Sequence, residues 1–252
     1  MSPEAMDAQH MVKPDHNEHV RYAAGMTPRS PAPRSRRERP AKPALAYEGI
    51  VATAVALMRK EGLQRVTMRR LAQELDTGPA SLYVYVANTA ELHAAILEEL
   101  LGSVDLGAVR AGGDWRERLA AVLGSYTRVL FEHPSLAHSA LVTRPSGTNY
   151  LALVEAVLEL LHEGQVPDAQ AAWGVDVLLQ VATATAAEQS ARGQDVAARE
   201  QDNALVAALR EATAQTYPRI AALGTDLISG TPEQRLAWIF RAVINGAKDT
   251  PR

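Results

Sequence analysis

Hydroxyl, phenol and guanidinium groups are concentrated in one short stretch of the sequence. Two neighbouring arginines, Arg69 and Arg70, are followed by Ser81, Tyr83 and Tyr85. Such groups form hydrogen bonds with phosphate oxygens and with the edges of bases. The residue types therefore indicate a surface that binds a nucleic acid, provided that the local structure turns them outward.

A first short helix is predicted to begin after Thr67, whose hydroxyl can accept a hydrogen bond from an amide of the first turn. Its inward face would carry Leu71, Ala72 and Leu75. Ala72 is small, so a second helix can approach the backbone closely at that point. We expect the helix to end at Asp76, because aspartate tolerates the left-handed conformation that is common at helix ends.

A second short helix would start at Gly78 and Pro79, because glycine is an acceptable N-cap and proline fits the first helical position. Leu82 and Val86 would pack inward. The outward face would then consist of small and hydroxylated side chains, namely Ala80, Ser81, Tyr83 and Tyr85. Two such helices form a helix-turn-helix, in which the outward face of the second helix enters the major groove of DNA.

A pair of short helices also occurs in folds that never contact DNA. The alternative is therefore a helical protein that binds small molecules or other proteins only. The outward hydroxyl and phenol groups, together with Arg69 and Arg70, favour the DNA-binding interpretation.

The pattern around these helices resembles the TetR family of transcriptional repressors. The resemblance rests on Thr-x-Arg-x-Leu-Ala at 67–72, on the Leu-Tyr pair at 82–83 and on the aromatic Tyr85. It extends to a preceding helix, predicted from about Ala44 to Glu61, and to a following helix from Asn88 to Leu101. It implies an all-α protein with a three-helix DNA-binding head, a connecting fourth helix, and a larger helical domain for ligand binding and dimerisation.

The resemblance also implies roles for individual residues. Arg69 would contact a base or a phosphate, and Thr67 would touch phosphate while it caps its helix. Arg70 is also predicted to be a DNA-binding residue. The groove would be lined by Ala80, Ser81, Tyr83 and Tyr85. Two positions depart from the family pattern, because Thr89 replaces a frequent lysine and Tyr85 replaces a frequent histidine. The operator sequence therefore does not follow from the resemblance.

Composition limits the remaining function classes. The chain has 252 residues, of which 47% are hydrophobic, and no cysteine, which excludes disulfide and thiol chemistry. No apolar run approaches the ~20 residues that span a bilayer, and Met1–Val20 lacks the apolar core of a signal peptide. We therefore expect a cytoplasmic protein without a membrane segment. The sequence contains no nucleophile motif, phosphate-binding glycine loop or histidine pair at metal spacing, so an enzyme, a cofactor and a metal site are not predicted.

Positive charge is concentrated directly before the predicted head. The whole chain has a formal charge of −3, whereas the stretch from Arg29 to Lys42 contains six basic residues and one acid, Glu38. Prolines interrupt this stretch, so residues 1–43 are predicted to form a disordered basic arm that follows the phosphate backbone or reaches the minor groove. For Met1–Met26 the favoured interpretation is a solvated leader without a function.

Residues 44–101 are predicted to form the helix-turn-helix domain with its connecting helix, and residues 102–252 the larger domain. The larger domain shows helical patterns throughout and no alternating strand pattern. Gln194–Gln201 is predicted to be a polar, mobile segment. One helix is predicted from Asp114 to His133, and a short one follows it to about Val142. The next ends at Gly164 and has Leu151, Val154, Leu158 and Leu161 inward, and a long helix runs from Asp168 to Arg192. Two more are predicted, one that carries Leu205, Leu209 and Ala212, and one that starts with the capping box Thr231–Gln234.

The larger domain resembles the C-terminal domain of the tetracycline-repressor branch of the same family. The matching residues are Trp115, Thr143–Pro145, Tyr150, Val154–Glu155 and Ala187–Gln189. The resemblance implies a pocket for a small-molecule effector. In that branch a histidine just before the Thr-Arg-Pro run helps to hold a magnesium-drug chelate. Ala140 stands there in this chain, which disfavours a magnesium-tetracycline ligand.

A ligand site is predicted from this resemblance and from helical spacing along the helix that starts at Asp168. One face of that helix mixes an aromatic ring, small apolar groups and two polar side chains, a composition that suits a cavity. The alternative is that Trp173 belongs to the core, and that Gln180 and Glu188 are solvated or pair across a dimer. The predicted ligand-binding residues are Thr143, Arg144, Trp173, Gln180 and Glu188.

The helix from Asp168 and the last helix of the chain are predicted to pair with their copies as a four-helix bundle. A twofold dimer would place two heads about 34–36 Å apart, one turn of DNA, so the operator should be an inverted repeat. Effector binding would favour a conformer in which the connecting helix moves the heads out of register with the grooves. The sequence thus predicts a repressor released from DNA by a small molecule.

Overall fold

A computed structural model describes residues 45–194 and 196–251. In these ranges the regular elements are all helices, joined by turns and loops, and no strand occurs. The predicted basic arm, residues 1–43, lies outside the described residues. The first helices are α1 (Tyr47–Glu61), α2 (Met68–Glu74), α3 (Pro79–Leu82) and α4 (Thr89–Leu101). The following helices are α5 (Trp115–Glu132), α6 (Pro134–Ala140), α7 (Thr148–Glu163), α8 (Asp168–Gln194), α9 (Val196–Glu211), α10 (Pro218–Leu223) and α11 (Pro232–Asp249), with short 3₁₀ turns at Leu63–Arg65, Gly107–Arg110 and Gly224–Ile228.

The ends of α1 and α2 follow the residues that predicted them. Gly62, at φ 86°, ends α1 in a backbone conformation that a side chain would disfavour. Thr67 Oγ1 accepts a hydrogen bond from the Arg70 amide at 3.2 Å and so caps α2. Asp76 adopts φ 49°, the left-handed conformation expected where α2 stops. These contacts confirm the predicted helix-turn-helix boundaries.

Helix α4 starts at a polar cap that differs slightly from the predicted one. Asn88 Oδ1 accepts a hydrogen bond from the Glu91 amide at 2.9 Å. The Glu91 carboxylate reaches back one residue further than a reciprocal cap would, and accepts a hydrogen bond from the Ala87 amide at 2.6 Å. The inward stripe of α4 is confirmed, because Leu92, Ile96 and Leu100 are buried.

Helix α8 is the centre of the larger helical group. It packs against α5, α6, α7 and α11, and its inward face buries small and medium side chains. Small residues allow the surrounding helices to approach α8 closely. The buried residues along α8 include Ala171, Gly174, Val175, Leu178, Leu179, Ala182, Thr183, Ala186 and Ala187.

The predicted inward face of α7 is confirmed for Leu161, which is buried, and for Val154 and Leu158, which are partly buried against the core, but it is wrong for Leu151. Leu151 is 59% exposed, whereas Leu153, Val157 and Leu160 are almost completely buried. At about 100° per residue, Leu151 lies roughly opposite Leu153 on the helix. Helix α7 carries leucine and valine on more than one side, so its own pattern permits two orientations. Packing against α4, α5 and α8 selects the one that includes Leu153.

Gln194–Gln201, predicted to be a polar, mobile segment, contains the end of one helix and the beginning of the next, and its mobility stays a prediction. Helix α8 continues to Gln194, and α9 begins at Val196. Alanine, glutamate, arginine and glutamine have high intrinsic helix propensity, so the polarity of this stretch did not prevent helix formation.

The start of α11 matches its prediction in detail. The hydroxyl of Thr231 accepts a hydrogen bond from the Gln234 amide, and the Gln234 side chain accepts one from the Thr231 amide at 2.9 Å. Leu236, Phe240 and Ile244 are buried along this helix. Within the described ranges, none of the helices is long and apolar enough to cross a membrane.

Candidate nucleic-acid interface and ligand pocket

The outward face of α3 is open to solvent. Leu82 and Val86 are buried, as predicted, and hold this segment against the other helices. Ala80 and Ser81 are exposed, and Tyr83 is 53% exposed. The predicted exposure of the DNA-facing side chains is therefore confirmed, while their contacts with DNA stay a prediction.

Tyr85 combines exposure with a structural contact. Its hydroxyl donates a hydrogen bond to the Leu45 carbonyl oxygen at 2.7 Å. Leu45 precedes α1, so this bond ties the segment after α3 to the start of the described chain. The Tyr85 side chain remains 37% exposed. Its ring can face a groove, while its hydroxyl donor is already used within the protein.

The two neighbouring arginines occupy different environments. Arg70 Nε and Nη2 donate to the two carboxylate oxygens of Glu61 at 3.1 and 2.6 Å, and its Nη1 donates to Glu74 at 2.8 Å. These hydrogen bonds raise the pKa of Arg70 and lower the pKa of Glu61. The Arg70 guanidinium thus links α1 to α2, and any contact between Arg70 and phosphate would have to compete with two carboxylates.

Arg69 is exposed on α2. Among the described residues it takes part in no ion pair, in contrast to Arg70. Its guanidinium retains all its donors for a phosphate or for a guanine edge, which arginine recognises through two hydrogen bonds. The sequence predicted the same DNA-binding role for both arginines, whereas the structure gives them different contacts.

A pocket of about 130 Å³ lies between α4, α5 and α8, beside the loop that joins α6 to α7. Three of the five predicted ligand residues, Thr143, Arg144 and Gln180, line it. The sequence did not identify the other polar lining residues as a group, because they come from separate helices. The full lining consists of Leu97, Leu101, Tyr126, Ala140, Leu141, Thr143, Arg144, Pro145, Tyr150, Asp176, Leu179, Gln180, Thr183 and Ala184.

Polar groups lie at both ends of this pocket. At the buried end the hydroxyls of Tyr126 and Thr183 are 2.7 Å apart and share a hydrogen bond. Burial raises the pKa of Tyr126 to about 12, so the phenol stays protonated at neutral pH. At the exposed end Arg144 Nη1 lies 2.8 Å from Asp176 Oδ1. The pocket can therefore offer uncharged hydrogen-bonding groups inside and a charged pair at its mouth.

The other two predicted ligand residues, Trp173 and Glu188, lie outside this pocket. Trp173 is 60% exposed and borders a shallow apolar hollow between α8 and α11, with Val243 and Ala247 opposite. Glu188 is exposed and pairs with Arg192 at 2.6 Å. A helix rises about 1.5 Å per residue, so one face from Trp173 to Glu188 extends for roughly 22 Å and is too long for one small cavity. The exposure of Trp173 also rules out the alternative that this side chain is part of the core.

No cluster of three or more histidine or carboxylate side chains that could hold a metal ion occurs in the part of the chain that the structure describes. The position predicted to lack a metal-chelate ligand, Ala140, lines the pocket. The pocket wall therefore has a methyl group at the position where the tetracycline-repressor branch has a histidine side chain.

Two family profiles match the chain on either side of the connecting region. The profile of the tetR family of bacterial regulatory proteins matches residues 50–96. The profile of the tetracyclin repressor-like C-terminal domain matches residues 110–248, more than half of the chain.

Individual relatives extend this similarity over most of the chain. An HTH-type transcriptional regulator of Saccharopolyspora erythraea is 35% identical over 182 residues, which is 71% of this chain and 75% of that protein. The crystal structure of SCO7704 from Streptomyces coelicolor is 60% identical, with a TM-score of 0.70 over 84% of this chain and 98% of that one. ActR of Streptomyces coelicolor, solved in complex with actinorhodin, is 33% identical, with a TM-score of 0.70 over 81% and 96% of the two chains. The helix-turn-helix, the C-terminal profile and these relatives agree, and the chain belongs to the TetR family of DNA-binding transcriptional regulators.

Proposed function

We propose that this protein represses transcription as a homodimer and leaves its operator when a small molecule occupies the pocket beside α4. The observation that carries the proposal is the position of α4. This helix follows the helix-turn-helix directly, and its residues Leu97 and Leu101 form one wall of the pocket. A molecule in the pocket would therefore touch the helix that directly follows the DNA-binding helices α2 and α3.

The DNA contacts are assigned to the exposed residues of α2 and α3. Arg69 supplies a contact with a base or a phosphate, and Thr67, Ala80, Ser81 and Tyr83 line the surface next to it. Arg70 and Tyr85 act mainly by holding this surface in shape, because their polar groups are bonded to Glu61, Glu74 and the Leu45 carbonyl.

The homodimer is assigned to α8 and α11. Both helices present large apolar side chains to solvent, with Trp173 at 60% and Trp238 at 65% exposure. Trp173 borders the apolar hollow between these two helices, and exposed tryptophans are enriched at protein interfaces. Two subunits related by a twofold axis would read an inverted repeat with half-sites about 34–36 Å apart.

The effector is assigned to the pocket lined by Tyr126, Thr143, Arg144, Gln180 and Thr183. Its volume of about 130 Å³ is smaller than the roughly 300–1,000 Å³ of most ligand sites. An effector of ordinary size would therefore either extend out of the open mouth of the pocket or push the helices apart as it binds. Such a movement of α4 is what release from DNA requires. The related ActR binds actinorhodin, which makes actinorhodin the first compound to test on this protein.

Operator selection from a pool of random duplexes, followed by gel-shift titration, tests the DNA-binding part. Arg69→Ala and Tyr83→Ala should each weaken binding to the selected duplex. Arg128→Ala, which removes an exposed arginine from α5, is the matched control and should bind like the wild type. Selection of no duplex would refute DNA binding and favour the alternative of a helical ligand-binding or interaction protein.

Release of the selected duplex by actinorhodin, and by a library of small molecules, tests the pocket. Gln180→Ala should change the concentration needed for release, because Gln180 lines the pocket. Glu188→Ala should not, because its carboxylate lies outside the pocket and pairs with Arg192. An equal effect of both substitutions would contradict the assigned site.

A further inference from the structure

The N-terminus of α7 is capped by a side chain from another helix. The cap residue of α7 is Gly147, which has no side chain to accept the free amides of the first turn. The Glu98 carboxylate of α4 takes its place. It accepts hydrogen bonds from the Asn149 amide at 2.6 Å and from the Tyr150 amide at 3.2 Å. These are the two amides that an N-cap side chain of α7 itself would bond.

The contact includes a third hydrogen bond that Glu98 accepts, and it leaves no room for a side chain at Gly147. Asn149 Nδ2 donates to the Glu98 carbonyl oxygen at 3.0 Å. A Cβ atom at Gly147 would overlap the Glu98 carboxylate. Gly147 has φ −88°, which any residue can adopt. The Glu98 carboxylate can therefore occupy this position only while residue 147 is glycine, and the reason is space rather than backbone conformation.

The bonded residues adjoin the ligand pocket. Tyr150, whose amide bonds Glu98, lines the pocket from α7, and Leu97, the neighbour of Glu98, lines it from α4. A molecule that widens the pocket by separating α4 from α7 must therefore strain or break these bonds.

We propose that Glu98 is the positioning residue that couples the pocket to the DNA-binding head. In the effector-free protein its carboxylate locks α4 to the first turn of α7, and this lock holds the head in the arrangement that binds DNA. An effector that separates the two helices opens the lock and frees α4 to move. This inference rests on the proposed function, because it assumes that the effector-free arrangement is the one that binds the operator.

The chemistry of the contact suits a lock with two states. A carboxylate at a helix N-terminus is stabilised by charge-assisted hydrogen bonds and by the helix dipole. Both contributions disappear together when the helices separate by more than a hydrogen-bond length. The contact thus changes between made and broken, which is the behaviour that allosteric coupling requires of an element between two sites.

Three variants of the full chain test the proposal. Glu98→Ala removes the lock. The double variant Glu98→Ala/Gly147→Ser provides α7 with a cap of its own, since the truncated Glu98 leaves room for a serine, but it does not restore the link to α4. Glu99→Ala removes the same charge from the next, exposed residue of α4 and is the matched control.

Amide hydrogen exchange and binding of the selected operator are measured for each variant. Glu98→Ala should speed exchange at Asn149 and Tyr150 by at least about tenfold, because two charge-assisted hydrogen bonds are removed. It should also weaken operator binding by at least about fivefold, the lower end of typical allosteric coupling. The double variant should recover the slow exchange but not the affinity, and Glu99→Ala should match the wild type in both measurements.

Recovery of operator affinity in the double variant would overturn the proposal, because Glu98 would then only stabilise α7. Unchanged exchange and affinity in Glu98→Ala would overturn it as well. If the single variant fails to fold, the double variant alone decides by the same comparison of affinity. If the wild type selects no duplex, the proposed function fails and the coupling with it, whereas slow exchange at Asn149 and Tyr150 would still show that α4 caps α7.

Discussion

Replacing Trp173 by alanine should weaken the proposed homodimer without changing the proposed ligand pocket. Trp173 is 60% exposed on α8, beside an apolar hollow formed with Val243 and Ala247 of α11. The sequence pattern placed this side chain in the ligand site, whereas the structure places it on the surface assigned to the dimer. The two roles predict different results for the same variant.

The size of the effect follows from the exposed area. A tryptophan buries about 150–250 Å² in an interface, so a side chain that is 60% exposed offers roughly 90–150 Å² to a partner. At about 25 cal/mol per Å², full coverage is worth about 2–4 kcal/mol in each subunit. A twofold axis repeats the contact, which doubles this upper limit. Only part of buried area appears as binding free energy, so we expect a rise in the dimer Kd of at least about a hundredfold.

Sedimentation velocity over a series of protein concentrations measures the dimer Kd directly. Leu151→Ala is the control, because Leu151 is an apolar side chain with the same exposure, 59%, on α7 rather than on α8 or α11. It should leave the Kd unchanged. An unaltered dimer in Trp173→Ala, together with altered release by an effector, would refute the reasoning and return Trp173 to a ligand site.

Three further outcomes are expected. Burial lowers the pKa of His93 and of His133 in the folded protein. As the pH falls below 6.5, the ordinary pKa of histidine, these two side chains therefore bind more protons in the unfolded chain than in the folded one. The free energy of unfolding should therefore stay level above that pH and fall as the pH drops toward the folded pKa. Urea unfolding of a His93→Gln/His133→Gln variant should show a smaller fall, and an identical pH profile would contradict this assignment. Arg70→Ala should lower the melting temperature measured by calorimetry while leaving the preferred operator sequence unchanged, and a changed preference would make Arg70 a base contact. Removing residues 1–43 should weaken operator binding and reduce its dependence on salt, by about 0.9 in the log-log slope for each phosphate that the arm neutralises, whereas an unchanged slope would exclude a DNA-binding arm.

The helix-turn-helix could be predicted closely because its signals are local. Thr67 and Gly62 determine helix ends through bonds or torsion angles within a few residues, and the Thr231–Gln234 pair does the same for α11. The exposure of Ser81 and Tyr83 followed from the helical period once Leu82 and Val86 were placed inward. Such local patterns can be read from the sequence because they do not depend on how distant helices pack.

The ligand pocket could be predicted only in part. Thr143, Arg144 and Gln180 lie where the resemblance and the helical spacing indicated. Tyr126 and Asp176 join them from other positions, because the pocket forms between helices rather than along one of them. The same limit explains the error at Leu151, since α7 carries apolar residues on two faces and its neighbours select one.

The sequence by itself determined the all-helical fold class, the start and end of most helices, the outward face of α3 and the family. Each of these depends on contacts or torsion angles between residues close together in the chain. Tertiary structure alone decided that Arg70 bonds Glu61, that Trp173 lies at the surface, and that Glu98 caps a helix 51 residues further along. These contacts depend on how whole helices pack, and the same residue types at the same local spacing are compatible with several packings.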